Sequence, residues 1–316
     1  MSGISRRDVL RSGLAAAAVG ATGASLFPGA RASAASSGGS VYRAFTNSSH
    51  WNQPLPASAP IDADSDRFIA DAKANSGTHL QLAMGDYAQP FYWANRKDPI
   101  HTVVDGYGRR VRLHVPDSAV PMAGTDAEFT VFDRSRNLCV GFHAASRDQA
   151  GRISCVGLDR WRLNSNGLHR RLRQSDSAFN VGHRGSPAPL RGVRLDEIKG
   201  GVIAHKLAVF WWATAPQSFF PMANYESDKG GIVPEGMQLR VKRSIDLSRR
   251  FRTGSAAMII ATAIQRYGLY VGDNSGSGSR LKVQRSNAWP SLGLKVDSLS
   301  PLTWDDYEFV QRGFGN

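Results

Sequence analysis

The chain has 316 residues, of which 41% are hydrophobic and 21% are charged, and it contains only 2 cysteines. The hydrophobic fraction excludes a disordered chain. The low cysteine count excludes a small scaffold held by several disulfides or by a cysteine-ligated metal centre. A formal net charge of +13 favours acidic partners. These figures describe a basic globular protein that is long enough to bury a core of its own.

The first 35 residues have the organisation of an export signal. Arg6 and Arg7 precede a short apolar run, residues 13–26, which is followed by the small residues Ala32-Ser33-Ala34. This order is typical of a cleavable signal, and the arginine pair in SRRDVL resembles a twin-arginine (Tat) signal. The run is too short and too rich in Ala and Gly for a membrane span of about 20 residues. We therefore expect export by the Tat translocase, a secreted or cell-surface location, and no stable membrane insertion after cleavage.

A Ser/Gly-rich linker and N-terminal segment, residues 36–50, leads into a region that predicts one helix and then mainly strands. The first helix covers residues 65–75, and a second one covers residues 255–267, with a serine cap and Gly268 at its end. Runs rich in Val, Ile, Phe and Trp between turn residues predict the strands. They cover residues 110–115, 128–133, 138–143, 152–157, 202–211, 237–242, 269–272 and 280–284.

The helices are too few and too widely spaced for repeated βαβ units, so the pattern predicts a mostly β protein. We expect one domain over residues 51–316, folded as an antiparallel β-sandwich of the jelly-roll or concanavalin-like kind with a few short helices. The chain lacks a dinucleotide fingerprint, a P-loop, an H-E-x-x-H and a G-x-S-x-G motif. We therefore expect no cofactor. Carboxylate and histidine chemistry on a β scaffold remains, as does binding without chemistry.

Cys139 and Cys155 lie at equal distances from Arg147, which we take as the centre of a turn in the polar run SRDQAGR. In an antiparallel hairpin centred there, the two cysteines face each other within disulfide reach. The spacing favours a disulfide, with two free thiols as the alternative.

His205 is the first candidate for catalysis. In the run VIAHKLAVFW a strand places it on one face with Ile203 and Leu207. Such a histidine is either a hydrogen-bonded core residue or a proton carrier in a cleft, because its ordinary pKa lies near neutrality.

Carboxylates at strand ends are the second candidates. Asp126 precedes a predicted strand, Asp273 ends another beside the flexible run SGSGS, and Glu226 lies in a polar loop. Two carboxylates can supply the acid and base that cleave a glycosidic bond, whereas aspartates also cap turns without any chemistry. The spacing of Asp273, Ser275 and Ser277 resembles a calcium loop, but Gln284 stands where the loop needs Glu, so we expect no metal.

Aromatic and basic residues are consistent with a glycan ligand. Seven tryptophans, Trp51 among them, can stack on sugar rings, although core packing also accounts for tryptophan. The Arg-rich stretch at residues 160–173 favours an anionic polymer or is simply a solvated surface. His101 and Tyr107, close to Asp105, suggest the base of a polysaccharide lyase or a solvated loop.

Five phrases together resemble a largely uncharacterised family of exported actinobacterial proteins: HWNQPLP, GTD, IAHKLAVF, PEGMQLRVK and RYGLYVGD. The match covers most of the chain from Trp51 to Asp273. Ala204 and Lys206, on either side of the histidine, depart from the family pattern. The resemblance implies one intact domain and a polar site but no particular activity. The positions that recur in the family match Trp51, Asn52, Asp126, His205, Tyr267 and Asp273.

We therefore expect an exported glycoside hydrolase that acts on an extracellular or cell-wall polysaccharide, with no nucleic acid as partner. Asp126, His205 and Asp273 are the expected catalytic residues. Substrate contacts are expected from Trp51, Asn52, Tyr267 and Glu226. Two alternatives stay open: a polysaccharide lyase on an acidic glycan, which the basic charge favours, and a glycan- or cell-wall-binding protein without catalysis.

Replacing Arg6 and Arg7 together by lysine should abolish export, since the Tat translocase reads the arginine pair. Immunoblots of culture supernatant and cytoplasm measure the distribution, with Arg11→Lys as the matched control. Undiminished secretion of the double variant would rule out this route.

Overall fold

The computed structural model describes residues 41–170, 179–226 and 229–315. The predicted signal, residues 1–35, lies outside the described residues. Gly39–Asn316 forms one compact unit. The strands are β1 (Gln81–Ala83), β2 (Phe91–Ala94), β3 (Ile100–Val104), β4 (Arg110–His114), β5 (Phe129–Asp133), β6 (Leu138–Arg147), β7 (Ile153–Arg162), β8 (Leu207–Trp211), β9 (Thr214–Ser218), β10 (Val233–Glu235), β11 (Gln238–Val241), β12 (Leu269–Asn274), β13 (Arg280–Lys282) and β14 (Tyr307–Val310). The α-helices are α1 (Ser65–Asn75), α2 (Leu195–Lys199) and α3 (Ala256–Arg266).

The central sheet has six strands in the order β1-β13-β8-β12-β11-β14. The side chains of β8 alternate between the two faces of this sheet, and both faces are buried. Leu207, Val209 and Trp211 enter the core that contains the apolar faces of α1 and α3. Ala208 and Phe210 point the other way, into a second core. A strand buried on both faces needs apolar residues at every position, as β8 has.

The second large sheet, in the order β2-β5-β6-β7, packs against the other side of that second core. Phe132, Cys139 and Trp161 from this sheet meet Phe210 and Tyr270 from the central one. Its opposite face packs against the β3–β4 hairpin around a third core. The prediction of a mostly β, sandwich-like fold with few helices is confirmed. The sheets are mixed, because β1–β13, β9–β10, β8–β12 and β2–β5 run parallel.

The edge strand β14 brings residues 60–62 to the central sheet. It pairs with β11 along its whole length, and Val310 forms a β-bridge with Ile61. The Gln311 N–H donates to the Pro60 carbonyl over 2.8 Å, and Arg312 donates from its backbone N and its Nε to the Asp62 carboxylate, each over 2.9 Å. The central sheet is therefore closed by contacts between residues far apart in the sequence.

The first predicted helix has the expected bounds, and Ser255 caps α3 by accepting a hydrogen bond from the Met258 N–H over 3.2 Å. The strand predicted over residues 202–211 begins only at Leu207. Before it, the Lys206 N–H donates to the Trp51 carbonyl over 2.8 Å rather than to a neighbouring strand. The expectation that His205 belongs to a strand is therefore wrong.

The predicted disulfide is not formed, and Cys139 and Cys155 are free thiols. The β6–β7 hairpin exists, but its turn lies at residues 148–152, beyond the centre that the sequence indicates. Cys139 therefore faces Trp161, and Cys155 faces Ala145. At about 3.3 Å per residue this register separates the two thiols by about 20 Å along the strands, whereas a disulfide needs Cα atoms within about 7 Å.

Thiol titration in denaturant without reductant should give two thiols per chain, because the register keeps the cysteines apart. The Cys155→Ser variant should give one. A count near zero for the unsubstituted chain would contradict this register.

Candidate active site

A cleft of about 1050 Å³ is lined by residues of both large sheets. Asp273 on β12, Phe210 on β8 and Arg280 on β13 are in register across the central sheet, and all three line the cleft. His143 on β6 and Glu128, just before β5, come from the other sheet. The cleft thus gathers charged groups at strand ends, a common position for ligand sites.

The first charged cluster is centred on His143. Its Nδ1 lies 2.7 Å from Glu128 Oε1, and its Nε2 lies 2.7 Å from Asp159 Oδ2. Burial disfavours the imidazolium, but Asp159 and Glu128 outweigh burial and raise the pKa of His143 to about 9. His143 is therefore protonated at neutral pH and donates from both nitrogens.

Arg191 completes this cluster. It is almost fully buried, forms an ion pair with Asp159 and lies 3.6 Å from Glu128 Oε1. Burial alone raises the pKa values of both carboxyls, but Arg191 and His143 lower the pKa of Asp159, and Lys282 and His143 lower that of Glu128. Both carboxylates are therefore ionised and committed to ion pairs.

The second cluster is centred on His183 and Asp273. His183 Nε2 lies 2.6 Å from Asp273 Oδ2, and Arg184 Nη2 donates to Asp273 Oδ1 over 2.6 Å. Burial lowers the pKa of His183, and the neighbouring cations Arg191 and Arg184 lower it further, although Asp273 opposes them. Burial raises the pKa of Asp273, but His183 and Arg184 lower it to a greater extent. At neutral pH this pair is thus a neutral imidazole beside an ionised carboxylate.

Arg184 is held in turn by two glutamates. Its Nη2 lies 3.1 Å from Glu226 Oε2, and its Nε lies 3.4 Å from Glu235 Oε2. Glu235 also accepts the Glu226 N–H over 3.0 Å. Burial raises the pKa of Glu235 to about 8 although Arg184 opposes the shift. The Glu235 side chain is fully buried and does not line the cleft, so it positions Arg184 and cannot reach a ligand.

Strained backbone places the second cluster against the first. Arg184 has φ 55°, an uncommon left-handed conformation for a residue with a side chain. Gly182 has φ 145°, and a Cβ there would lie 2.0 Å from Asp159 Oδ1. The His183 N–H donates to the same oxygen over 2.7 Å, and the His143 and His183 rings stack with centroids 5.1 Å apart. Such strain is often kept at functional sites.

His143, Asp159 and His183 each offer one atom within 4.8 Å of the others, a group that could hold a metal ion. Arg191 already occupies this space, since its Nη1 lies 3.0 Å from His143 Nε2 and its other terminal nitrogen pairs with Asp159. A guanidinium among the donors supplies the positive charge that a metal would otherwise bring. The arrangement favours an internal ion pair over a metal centre.

Three of the residues expected from the sequence line the cleft together: Asp126, Glu226 and Asp273. Asp126 lies at its rim, with 53% of the side chain exposed and its Oδ2 4.0 Å from Lys282 Nζ. Asp273 lies deeper, paired with His183. The expected roles of these residues stay predictions, whereas their shared location is a feature of the fold.

His205 is not brought into this cleft. It is 1% exposed, its Nδ1 lies 2.7 Å from the Lys206 carbonyl, and its Nε2 lies 2.5 Å from Glu197 Oε1. Arg194 Nη2 also pairs with Glu197 Oε1 over 2.9 Å. The expected convergence of His205 with Asp126 and Asp273 is therefore wrong, because both nitrogens of His205 are used to bind neighbouring elements.

Trp51, Asn52 and Tyr267 also lie outside the lining of the cleft. Trp51 is fully buried and donates to the Gly167 carbonyl over 2.6 Å. Asn52 donates to the Ala44 carbonyl over 2.8 Å, and the Tyr267 carbonyl accepts from Lys206 Nζ over 3.3 Å. The geometry gives these residues structural contacts and provides no sugar platform at Trp51.

Sequence reasoning missed His143, Asp159, His183 and Arg191. One local signal was present: His183 and Arg184 stand between two glycines in VGHRG, a pattern that allows unusual backbone conformations next to polar side chains. His143 and Asp159 lie within the strands β6 and β7, and Arg191 follows a short 3-10 turn. A lone polar side chain at such positions does not reveal its partner.

No protein-family model matches the chain, and neither a curated protein nor a solved structure matches it. Within the described ranges, no helix has both the length and the apolar character needed to cross a membrane.

The free energy of unfolding should depend on pH through His143. Its pKa is raised from 6.5 to about 9 in the folded protein, so its stabilising effect is complete below pH 6.5 and is lost as the pH rises through 9. Denaturant unfolding of the wild type and of His143→Gln should therefore show a stability difference that shrinks by roughly 2 to 3 kcal/mol over this range. The other titratable groups are present in both proteins, so their contributions to the free energy of unfolding cancel in the difference. A difference that does not change with pH would show that His143 is not ion-paired.

Proposed function

We propose that the cleft is the active site of an exported enzyme that cleaves an acidic polysaccharide by β-elimination. The observation that carries the proposal is the neutral His183, oriented by an ionised Asp273, in a cleft that also presents Lys282 and Arg280. A base beside cations suits the removal of a proton next to a carboxylate group.

His183 has the features of the base. Nε2 lies 2.6 Å from Asp273 Oδ2, which can only accept, and 2.8 Å from Arg184 Nη2, which can only donate. We assign the hydrogen to Nε2, because the carboxylate is the nearer partner and Arg184 already donates to Asp273 itself, and this leaves the lone pair on Nδ1. The opposite tautomer would place a lone pair 2.6 Å from a carboxylate oxygen, which is repulsive. Asp273 thus orients the ring and stabilises the imidazolium once a proton has been taken.

The elimination needs no proton carrier besides His183. Nδ1 takes the proton from the carbon next to the uronate carboxylate, and the electron pair forms a C=C bond as the glycosidic C–O bond breaks. The imidazolium then gives the proton to the leaving oxygen. Lys282, whose Nζ lies 3.2 Å from Glu128 Oε2 and 4.2 Å from the centre of the Phe210 ring, supplies positive charge for the carboxylate as negative charge develops on it.

Hydrolysis by a carboxylate pair, the first expectation from the sequence, is less well supported. It needs a protonated carboxylic acid that faces the substrate. The pKa values of Glu128 and Asp273 are lowered by their ion pairs, and Glu235, whose pKa is raised, does not line the cleft. Asp126 and Glu226 remain the pair on which hydrolysis would depend.

His183→Ala and Asp273→Asn should each lower turnover of a polyuronate by a factor of about 100 or more, since general bases contribute rate factors of that order. Product formation is followed by the ultraviolet absorbance of the new C=C bond conjugated to the carboxylate. His101→Ala is the matched control, because His101 lies on β3 outside the lining of the cleft.

Wild-type activity should survive treatment with a chelator, since Arg191 occupies the space between the potential metal ligands His143, Asp159 and His183.

Three results would contradict the proposal. New reducing ends without the absorbance indicate hydrolysis, and binding without either signal indicates a glycan-binding protein. Equal loss in His101→Ala and His183→Ala, with unchanged unfolding curves, would remove the assigned role of His183.

A further inference from the structure

We propose that Arg280 forms a second anion subsite in the cleft, which binds the carboxylate of the uronate residue next to the one that is cleaved. This inference rests on the proposed function, because it assigns the neighbouring sugar of the same polymer. It makes the protein selective for glycans with acidic groups on successive residues.

The register of the central sheet fixes where Arg280 stands. Asp273 pairs with Phe210, and Phe210 pairs with Arg280, across three adjacent strands. Residues paired across adjacent strands point to the same face. With strands about 4.8 Å apart, the Arg280 backbone lies about 10 Å from that of Asp273. A sugar that contacts His183 is thus followed along the sheet by a neighbour above Arg280.

Arg280 differs from Lys282 and Arg184, two cations close to Glu128 and Asp273. Lys282 pairs with Glu128 over 3.2 Å, and Arg184 pairs with Asp273 over 2.6 Å. Within the ranges that the structure describes, no carboxylate lies within 4.0 Å of the Arg280 guanidinium. The cleft therefore has a cation whose counter-ion is left for a ligand to supply.

The contacts around Arg280 also favour the binding of an anionic ligand. Its Nη1 donates to the Ser279 carbonyl over 3.2 Å, which fixes the base of the guanidinium group. The nearby Asp297 is engaged by Gln81 Nε2 over 3.0 Å and by His79 Nε2 over 3.2 Å. Burial lowers the pKa of Arg280, and Asp297 offsets this only in part. A partly buried guanidinium without a close anion is a ready partner for a planar carboxylate.

A guanidinium binds the carboxylate of a uronate and the sulfate ester of a sulfated sugar by the same hydrogen-bonding geometry. We assign the uronate, because the elimination proposed above requires a carboxylate on the reacting sugar. In a polymer made only of uronate, the sugar next to the reacting one offers the same carboxylate to Arg280.

Binding is measured first, in the inactive His183→Ala background, by calorimetric titration with a uronic acid oligomer. Adding Arg280→Gln should weaken affinity by about tenfold, the loss of one charge-assisted hydrogen-bonded contact. Arg252→Gln, at an exposed arginine outside the cleft, removes the same charge and should leave affinity unchanged. A neutral glucan oligomer and a sulfated glucan without carboxylates are the two comparison ligands.

Turnover is measured next, in the otherwise unchanged chain. Arg280→Gln should raise KM for the uronic acid homopolymer by about tenfold with little change in kcat, because Arg280 binds a sugar that does not react. In a polymer in which uronate and neutral sugars alternate, the sugar next to the reacting uronate has no carboxylate. On that polymer the Arg280→Gln and Arg252→Gln variants should therefore have the same KM. The same rise in KM on both polymers would overturn the selectivity.

The outcomes separate this inference from the proposed function. Equal affinities of the Arg280→Gln and Arg252→Gln variants would overturn the subsite, whatever the activity. Binding that depends on Arg280, without any product from the wild type, would support the subsite and overturn the elimination. Tighter binding of the sulfated glucan than of the uronic acid oligomer would overturn the uronate assignment.

Discussion

The carboxylate of Asp159 joins parts of the cleft that come from distant places in the sequence. It accepts hydrogen bonds from His143, Arg191 and the backbone of His183, and the missing side chain of Gly182 leaves room for it. Its charge therefore sets both the protonation of His143 and the position of the neighbouring turn. Without it, His143 and Arg191 would share Glu128 as their remaining carboxylate, and breaking a buried ion pair typically destabilises a fold by about 3–5 kcal/mol.

Buried cations also attach the N-terminal segment to the domain. Lys206 donates to the Gln53 carbonyl over 2.9 Å, and Arg194 donates to the Tyr42 carbonyl over 2.5 Å. Burial lowers the pKa of Lys206 to about 7, and its amino group has backbone carbonyls as partners. The Trp51 carbonyl, which accepts the Lys206 N–H over 2.8 Å, belongs to this attachment, and His205 is bonded to Glu197, the partner of Arg194. The contacts of Trp51 and His205 are thus those of residues that hold the fold together.

Local patterns predicted much of the fold, and contacts over long distances defined the site. The 3.6-residue spacing of α1 and the apolar runs of the strands are properties of neighbouring residues, so they could be read directly from the sequence. The β6–β7 turn was misplaced because the prediction centred it on Arg147, midway between the two cysteines, whereas the strands pair about residue 150. The partnership of His143 with His183 depends on how two sheets pack, and no local spacing encodes it. Asp273 was found because a strand end beside a Gly-rich loop is itself a local signal.

The pairing of β14 has a consequence for when the protein can fold. The central sheet is completed by residues 307–312, which bind β11 and residues 60–62. This sheet can therefore close only after residue 312 has left the ribosome. Contacts of such long sequence separation also slow folding. The rest of the central sheet thus waits for its edge strand, and until then β11 has one unpaired side.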